Sequence, residues 1–498
     1  MRSRLGFHSL HEETATTFAV DGSLPPWLTG SLVRTGPGAF SMPGGSTVDH
    51  WFDGLAMCYR FTFDPGGRAD GTPVSTADAV HYRNRFLRTD AYRDARDGTF
   101  AGGFATGETT LRERLSGLLT EPYDNTNIIV ERVGGQYLAL TESPRRVVVD
   151  PTTLETLGHA RYDGSAPTGQ LACAHLKRDP ATGTLVNVET AFGRTHRYHV
   201  HALTGAADRR HIGSVATDAP AYMHSFALTP RYVVLTEFPL RIDPLRLFRP
   251  GRQPPFIEQF EWQPDRGTRL IVLDRTSGDV IATPTTDALF GFHHVNAFER
   301  AGGSEIVFDL ETVPNPSGIG ALYLDTLRGG ELDAIAGRLE RFTVSLDAGR
   351  YGVDGATISR ETLYDAGTAL PTVSPARWCR PHRYVYAMSM SQPVSGWAHG
   401  VLKIDTCTGG VTEHAAGGDR FGEPIFVPAP DGDGDEGVVL TVALDTEAER
   451  SRLLVLDGET LAERARATLP HAAPFDFHGR YFPEVRVAER ARPGTETV

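Results

Sequence analysis

The sequence has no long apolar run and few cysteines. No stretch approaches the roughly 20 consecutive apolar residues that a membrane-spanning helix needs. The opening residues, MRSRLGFHSLHEE, lack the apolar core of a signal peptide. The four cysteines, Cys58, Cys173, Cys379 and Cys407, form no CxxC pair, which argues against a zinc ribbon or a disulfide scaffold. We therefore expect a soluble, cytoplasmic protein with free thiols.

Positive charge is also scarce. The chain has 49 basic against 62 acidic residues, a net charge of −13. Because binding along a nucleic-acid duplex requires a basic face, we expect no nucleic-acid partner. Only two of the basic residues are lysines, Lys177 and Lys403. We interpret the excess of arginine as the codon bias of a GC-rich bacterial genome.

Short β-forming runs, in contrast, recur along nearly the whole chain. Examples are YRFTF at Tyr59, YVVLT at Tyr232, EIVF at Glu305 and VVLTV at Val438. Glycine, proline, aspartate and asparagine separate these runs, a spacing that favours an all-β barrel, sandwich or propeller. The best helical pattern runs from Thr109 to Leu119, with its leucines on one face.

A weak internal repeat favours the propeller. A strand ends in Asp and is followed by a turn in VVVDPTTLETLG at Val147, LIVLDRTSGDV at Leu270, VLKIDTCTGGV at Val401 and LLVLDGETLAE at Leu453. Such a unit, dispersed over the chain, is typical of propeller blades. Seven blades would use about 71 of the 498 residues each, more than the ~45 of a minimal blade. We expect one domain, 1–498, with cap insertions at roughly 85–125 and 240–270.

Four of the 18 histidines lie in apolar or turn-like stretches that otherwise predict strands. They are His175 in LACAHLKRDP, His224 in AYMHSFALTP, His293 in FGFHHVNAFE and His478 in PFDFHGRYF. Their spacing fits no local metal motif, and each alone has a structural interpretation. In a propeller, however, histidines on different blades can meet on the axis. Four neutral imidazoles would suit a borderline metal such as Fe(II), although the residues alone do not separate iron from zinc or copper.

Further motifs accompany the histidines in a fixed order. They include GSLVRTGPGAF at Gly30, HWFDGLAM at His50, NTNII at Asn125, LALTES at Leu138, RPHRYVYAMS at Arg380 and GEPIFVPAP at Gly422. With the histidine segments, this series resembles the carotenoid cleavage oxygenases, the family that includes the retinal pigment epithelium retinoid isomerase. The resemblance implies a seven-bladed β-propeller with a cap of helices and loops over one face. It also implies one non-haem Fe(II) per chain, with O2 as co-substrate.

The resemblance also assigns residues to the metal site. It implies that His175, His224, His293 and His478 are the ligands and that no other catalytic residue is needed. His293 is preferred to His294 because the family's ligand stands three residues before the Asn, here Asn296. The alternation of side chains along a strand then turns His294 to the opposite face. His50 is expected to be structural.

The resemblance also implies carboxylates that do not bind the metal themselves but orient the histidine ligands. Glu142 and Glu423 match two of the three glutamates with which the family orients its histidines. At the third position this chain has Ala369. We therefore expect His293 to hydrogen-bond a carbonyl or a water, with looser iron binding or a shifted redox potential.

The implied reaction adds O2 across one C=C bond of a carotenoid or apocarotenoid and yields two carbonyl products. Thr141 and Phe104 stand where the stilbene-cleaving branch of the family has a lysine and a tyrosine, so an apolar polyene is favoured over a stilbene. A non-oxidative retinoid isomerase on the same scaffold is a further alternative. So are a propeller hydrolase or lyase with another metal and a non-catalytic binding propeller.

A polyene substrate would be drawn from a membrane. Residues 247–262 contain Leu247, Phe248, Phe256, Ile257, Phe260 and Trp262 among arginines and prolines. An exposed apolar patch edged by arginines predicts peripheral membrane contact. The alternative is that these side chains pack inside the cap.

Overall fold

The computed structural model describes residues 2–42, 44–65, 78–100, 102–107, 124–248, 251, 254–330, 332, 334–346 and 355–486. Within these ranges the chain is mostly β, as expected, with six antiparallel sheets of four to seven strands and one two-stranded sheet. The predicted helix from Thr109 to Leu119 lies outside the described residues. Among those described, no helix combines the length and the apolar character needed to cross a membrane.

We name the six large sheets A to F along the chain. In spatial order, sheet A contains Ala15–Ala19, Ala79–Phe86, Leu55–Asp64, Ser31–Ala39 and His478–Phe482. Sheet B contains Ile129–Val133, Gln136–Leu140, Arg146–Val149 and Thr156–Ala160. Sheet C contains Leu171–Ala172, Leu185–Ala191, His196–Leu203 and Arg209–Thr217, with Lys177–Arg178 also paired to Leu185–Ala191.

The remaining sheets follow the same antiparallel pattern. Sheet D contains Ala227–Leu228, Tyr232–Glu237, Thr268–Asp274 and Val280–Ala282, with Thr285–Thr286 also on Thr268–Asp274. Sheet E contains His294–Arg300, Glu305–Thr312, Gly337–Ser345, Thr357–Thr372, Tyr384–Ser389, Gly400–Asp405 and Val411–Ala415. Sheet F contains Asp21–Gly22, Glu463–Thr468, Arg450–Asp457, Gly437–Asp445 and Arg420–Phe421, with Ile425–Pro428 on Gly437–Asp445.

Short elements connect the sheets. The two-stranded sheet pairs Leu240–Ile242 with Phe260–Trp262. The α-helices are Asp90–Arg96, Ser317–Gly320 and Leu324–Gly329 within the described ranges. Single 3-10 turns occupy Arg2–Phe7, Trp51–Asp53, Pro244–Phe248, Ile257–Gln259, Pro264–Arg266, Ala301–Gly303 and Pro375–Arg377.

The two ends of the chain close the series of sheets. The last strand, His478–Phe482, pairs with Ser31–Ala39 in sheet A, and the early strand Asp21–Gly22 pairs with Glu463–Thr468 in sheet F. Interior strands such as Tyr232–Glu237 and Gly400–Asp405 are buried along their whole length. They pack on both faces against neighbouring sheets, which accounts for their near-continuous apolar sequences.

One recurring turn explains the internal repeat. The aspartate at the end of each repeat strand accepts backbone N–H groups from the residues two and three positions later, as Asx turns do. The N···O distances are 2.7 to 3.3 Å at Asp150, Asp274, Asp405 and Asp457. The repeated Asp therefore fixes the turn between consecutive strands of a sheet.

The two segments expected to form a cap contact each other. The Asp53 carboxylate accepts the backbone N–H groups of Gly103, Phe104 and Ala105 at 2.7 to 2.9 Å. The Phe104 carbonyl in turn accepts the N–H of Ile257 at 3.0 Å. The motif HWFDG thus anchors the loop 102–107, which holds the 240–270 segment.

A buried ion pair joins the beginning and the end of the chain. Arg34 in Ser31–Ala39 is fully buried and binds both carboxylate oxygens of Asp476, at 2.5 and 2.6 Å. Arg34 Nη1 also donates to the carbonyl of Glu423 at 3.0 Å. Removing one partner of such a pair leaves an uncompensated charge in the interior.

We predict that Asp476→Ala lowers the free energy of unfolding of the metal-free protein by about 3–5 kcal/mol. The matched control is Asp218→Ala, which removes the exposed Arg266–Asp218 pair of similar length, 2.9 Å. That loss should stay below about 1 kcal/mol. Chemical denaturation measures both, and equal losses would contradict a structural role for the buried pair.

Candidate metal centre

Four histidines from separate strand-forming segments meet at one point. His175 lies in the loop between Leu171–Ala172 and Lys177–Arg178, and His224 lies just before Ala227–Leu228. His293 immediately precedes His294–Arg300, and His478 begins the last strand. Each therefore stands beside or in an edge strand of a different sheet (C, D, E and A), and the closure of the chain brings them together.

The four imidazoles are close enough to share a metal ion. Each offers one ring nitrogen, and these nitrogens all lie within 4.8 Å of one another. The Nε2 atoms of His175 and His224 are 3.0 Å apart. Ring centroids of neighbouring members are separated by 4.4 to 5.3 Å. All four sequence-predicted ligands are thus brought together in one cluster.

Three carboxylates, of which Glu423 is buried and the other two are partly buried, orient three of the rings. His224 Nδ1 bonds Glu142 at 2.6 Å, His293 Nδ1 bonds Glu311 at 2.9 Å, and His478 Nδ1 bonds Glu423 at 2.8 Å. Because a carboxylate accepts the proton of Nδ1, the lone pair of Nε2 is left facing the centre of the cluster. No carboxylate contacts His175 among the described residues.

Burial favours the neutral form of His175, His293 and His478 by lowering their pKa values. It lowers the pKa values of His175 and His293 well below the usual range, because charged imidazoles would lie unsolvated beside one another. Burial also lowers the pKa of His478, although Glu423 opposes that shift. Neutral imidazoles with free lone pairs are the form that binds a transition metal.

The expectation for His293 is wrong. We expected Ala369 to leave this ring without a carboxylate, but Glu311 supplies one. His294–Arg300 and Glu305–Thr312 form a hairpin in which the Glu311 N–H donates to the His293 carbonyl at 3.1 Å. Ala369 and Glu311 both line the cavity beside the cluster. The basis for looser metal binding is therefore removed.

The choice between the adjacent histidines agrees with the structure. His294 points away from the cluster, and its two ring nitrogens bond Ser225 at 2.8 Å and Thr236 at 2.7 Å. His50 is structural, since its Nε2 bonds the Ile319 carbonyl and its Nδ1 accepts the Phe52 N–H.

A cavity of about 650 Å³ opens on one side of the cluster. His224, His293 and His478 form part of its wall. Most of the remaining lining is apolar and includes Trp51, Phe52, Phe100, Phe104, Tyr222, Phe256, Phe292, Trp397 and Phe477. Thr141 also lines it, beside Glu142. The shape and lining are those of a site for a large apolar ligand.

A smaller, polar chamber of about 90 Å³ borders His175, His293 and His478. Lys177, Arg480 and Glu131 contribute to its lining. Burial lowers the pKa of Lys177 to about 8, which leaves the ammonium form in the majority at neutral pH. The cluster therefore borders an apolar space and a charged one.

A second group of metal-binding side chains does not form a metal site. Asp90, Asp124 and His159 offer atoms within 4.8 Å of one another. The guanidinium of Arg145 lies 3.0 Å from Asp90 and 3.7 Å from Asp124. A cation is thus already present in the group, which we interpret as a structural ion-pair network.

The apolar patch expected at 247–262 is only partly a surface feature. Ile257 and Phe260 are buried in the core, and Phe256 and Trp262 pack against them. Arg249 and Arg252, and the side chains of Leu247 and Phe248, lie outside the described residues. Packing within the cap thus accounts for four of the six apolar side chains.

Comparison with known proteins identifies relatives along nearly the full chain. Residues 7–483 match the family model described as "Retinal pigment epithelial membrane protein". The rice carotenoid cleavage dioxygenase 8 homolog A (Oryza sativa subsp. japonica) is 30% identical, over 93% of this chain and 84% of its own. The chicken (Gallus gallus) beta,beta-carotene 15,15'-dioxygenase is 28% identical over an alignment that covers 93% of this chain and 95% of the chicken protein. The structure of cobalt-substituted Synechocystis ACO matches this one with a TM-score of 0.81 and 25% sequence identity. The match covers 97% of this chain and 98% of the ACO chain.

We predict that Glu311→Gln weakens metal retention by about 10–100-fold, because His293 loses the carboxylate that fixes its ring. Chelator competition on the Co(II)-loaded protein measures this. Glu305→Gln, on the same strand but remote from the histidines, is the control.

Glu311→Ala combined with Ala369→Glu should regain retention, since the backbone N–H of Leu370 already bonds the Glu311 carboxylate. Equal retention by Glu311→Gln and the control would contradict the assigned role.

Proposed function

The chain belongs to the carotenoid cleavage oxygenase family, which includes the retinal pigment epithelial membrane protein, and from this membership and the four-histidine cluster we propose that it is an Fe(II)-dependent dioxygenase. The proposed reaction cleaves one C=C bond of a carotenoid or apocarotenoid into two carbonyl products. The dioxygenase names of its relatives support an oxygenase that acts on this class of compound. The observation that carries the proposal is the convergence of four histidines beside a large apolar cavity.

The proposed architecture is a single domain with seven blades. Sheets A, B, C, D and F would each supply one blade. The seven strands of sheet E would supply two blades that share the long strand Thr357–Thr372. One histidine stands beside or in an edge strand of each of four sheets, and the four meet in one cluster, which supports this arrangement. A full-length match to an apocarotenoid oxygenase structure also supports it.

The donor set fits a resident Fe(II) ion. Four neutral imidazoles suit a borderline divalent metal, and the three carboxylates raise the basicity of three of the rings. When bound, Fe(II) would supply the activation of O2 towards the double bond. His175, His224, His293 and His478 would hold the ion, and Glu142, Glu311 and Glu423 would fix the ring orientations.

The protein itself would bind the substrate and position it beside the metal. The aromatic lining of the cavity would bind a polyene and exclude bulk water from the reacting bond. Tyr222 donates to Glu142 at 2.9 Å, so its hydroxyl is engaged rather than free for a substrate. Thr141 and Phe104 both line the cavity and offer no phenol-binding lysine or tyrosine. These features favour a polyene over a stilbene.

The test is an assay of the Fe(II)-loaded protein in mild detergent with β-carotene, an apocarotenal and resveratrol, with and without O2. We predict O2-dependent loss of polyene absorbance and two carbonyl products. His293→Ala should abolish iron binding and turnover, whereas His294→Ala, its sequence neighbour, should retain iron. Turnover without O2 would favour the retinoid isomerase instead, and cleavage of resveratrol alone would favour the stilbene branch.

Peripheral membrane contact from a cytoplasmic location is part of the proposal. Leu245 is 72% exposed and precedes Arg246 in the 3-10 turn Pro244–Phe248, near the cap segment that lines the cavity through Phe256. We predict that Leu245→Asp reduces co-sedimentation with anionic liposomes. Leu157→Asp, a change at a 62% exposed residue of sheet B, should not. Equal binding by the two variants would remove this part of the proposal.

A further inference from the structure

Gln170 contributes an amide group to the wall of the large cavity. It immediately precedes the strand Leu171–Ala172, and its backbone N–H donates to the Thr190 carbonyl at 2.9 Å. Its side-chain Oε1 accepts the backbone N–H of Phe192 at 2.7 Å. Because only the oxygen of an amide can accept that N–H, the contact fixes the orientation of the side chain. Among the residues that the structure describes, Nε2 of Gln170 has no hydrogen-bond partner.

The other amides that line the cavity are already engaged. Asn125 and Asn127 donate their side-chain N–H groups to backbone carbonyls of residues 52–54, at 2.8 to 3.5 Å. The hydroxyl of Tyr222 donates to a carboxylate at 2.9 Å. Within the described part of the chain, Gln170 is therefore the cavity-lining amide whose N–H donors remain available for a ligand.

The polar and the apolar parts of the lining come from different sheets. Gln170 adjoins sheet C, as does Thr190, and Thr141 follows the strand Gln136–Leu140 of sheet B. The apolar part includes four residues of one hydrophobic cluster, to which sheets A and F also contribute: Trp51, Met388, Trp397 and Phe477. The cavity therefore has a polar region and an apolar region, with metal-cluster histidines also in its wall.

Such a cavity matches a long hydrocarbon that carries an oxygen atom at one end. We propose that Gln170 is a specificity-determining residue, and that its Nε2 donates a hydrogen bond to the terminal oxygen of an apocarotenoid aldehyde or alcohol. The hydrocarbon part lies along the aromatic lining beside the histidines. This inference rests on the proposed function and deepens it, since it selects oxygenated apocarotenoids over hydrocarbon carotenoids.

The physical basis of the selection is the state of the amide in each complex. An aldehyde or hydroxyl oxygen accepts one of its N–H groups, whereas a hydrocarbon excludes water from the amide and offers no acceptor. A donor left without a partner in this way weakens binding. We therefore expect the wild-type protein to bind an oxygenated polyene about tenfold more tightly than a hydrocarbon of the same length.

The experiment measures binding apart from turnover. The probes are an apocarotenal, the alcohol of the same length, and the hydrocarbon in which a methyl group replaces the aldehyde. Because Trp51 and Trp397 line the cavity, a bound polyene should quench tryptophan fluorescence. Titration of the Co(II)-loaded protein without O2 gives the three Kd values, and the Fe(II)-loaded protein with O2 gives kcat and KM.

Gln170→Glu separates the donor from the rest of the side chain. The carboxylate keeps an oxygen that can accept the Phe192 N–H, but it has no N–H to donate. We expect the Kd and KM of the apocarotenal to rise about tenfold. The alcohol should be affected less, because its hydroxyl can donate to the carboxylate, and the hydrocarbon should bind as before. Gln170→Leu should weaken binding of the aldehyde and of the alcohol alike.

The matched control is Gln263→Glu. Gln263 also accepts an N–H through Oε1, from Arg266 at 2.8 Å, but it does not line the cavity. All three Kd values should stay at the wild-type level. Equal weakening of the three probes in Gln170→Glu would overturn the inference in favour of a structural role. If that variant does not fold, the wild-type Kd values decide, and equal affinity for aldehyde and hydrocarbon overturns the inference.

The outcome is separable from that of the proposed function. If the wild-type protein prefers the apocarotenal to the hydrocarbon but cleaves neither, the proposed reaction fails and recognition by Gln170 is retained. If it cleaves both with equal kcat/KM and binds both equally, the proposed reaction holds and only the inference about Gln170 fails.

Discussion

Three hydrogen bonds from imidazole Nδ1 atoms to carboxylates are the constraint that the rest of the molecule has to satisfy. Each bond fixes a ring so that its Nε2 faces the same point. The partners of each bond come from segments far apart in the chain, such as Glu142 with His224, or from opposite strands of one hairpin, as with Glu311 and His293. The packed sheets, with both ends of the chain paired into them, hold these pairs together. The turns, the Arg34–Asp476 ion pair and the cap contacts serve that requirement.

Much of this arrangement can be predicted from the sequence. The β-rich pattern and the Asp turns indicate the strands, and the four histidine segments stand out because each places an ionisable ring in an apolar context. The choice of His293 over His294 follows from the position of the family's ligand three residues before Asn296, and strand alternation then turns His294 to the opposite face. In the structure His294 points away from the cluster, and its ring nitrogens bond Ser225 and Thr236.

Glu311 is not predicted from the sequence, because the family resemblance assigns the third carboxylate to position 369, where this chain has alanine. A signal was present: EIVFDLET places one glutamate near the end of an apolar strand that follows the His293 segment. The hairpin pairs His294 with Leu310, so the next pair outward is His293 with Glu311. The sequence left the two alternatives for the cap segment open for a different reason. Apolar side chains between prolines and arginines look the same in sequence whether they face solvent or, like Ile257 and Phe260, the core.

The strand His478–Phe482 completes sheet A and carries the fourth histidine. During synthesis, therefore, neither sheet A nor the histidine cluster is complete until this strand has been made. A chain that is cut short before this strand loses an edge strand of sheet A and its fourth histidine together.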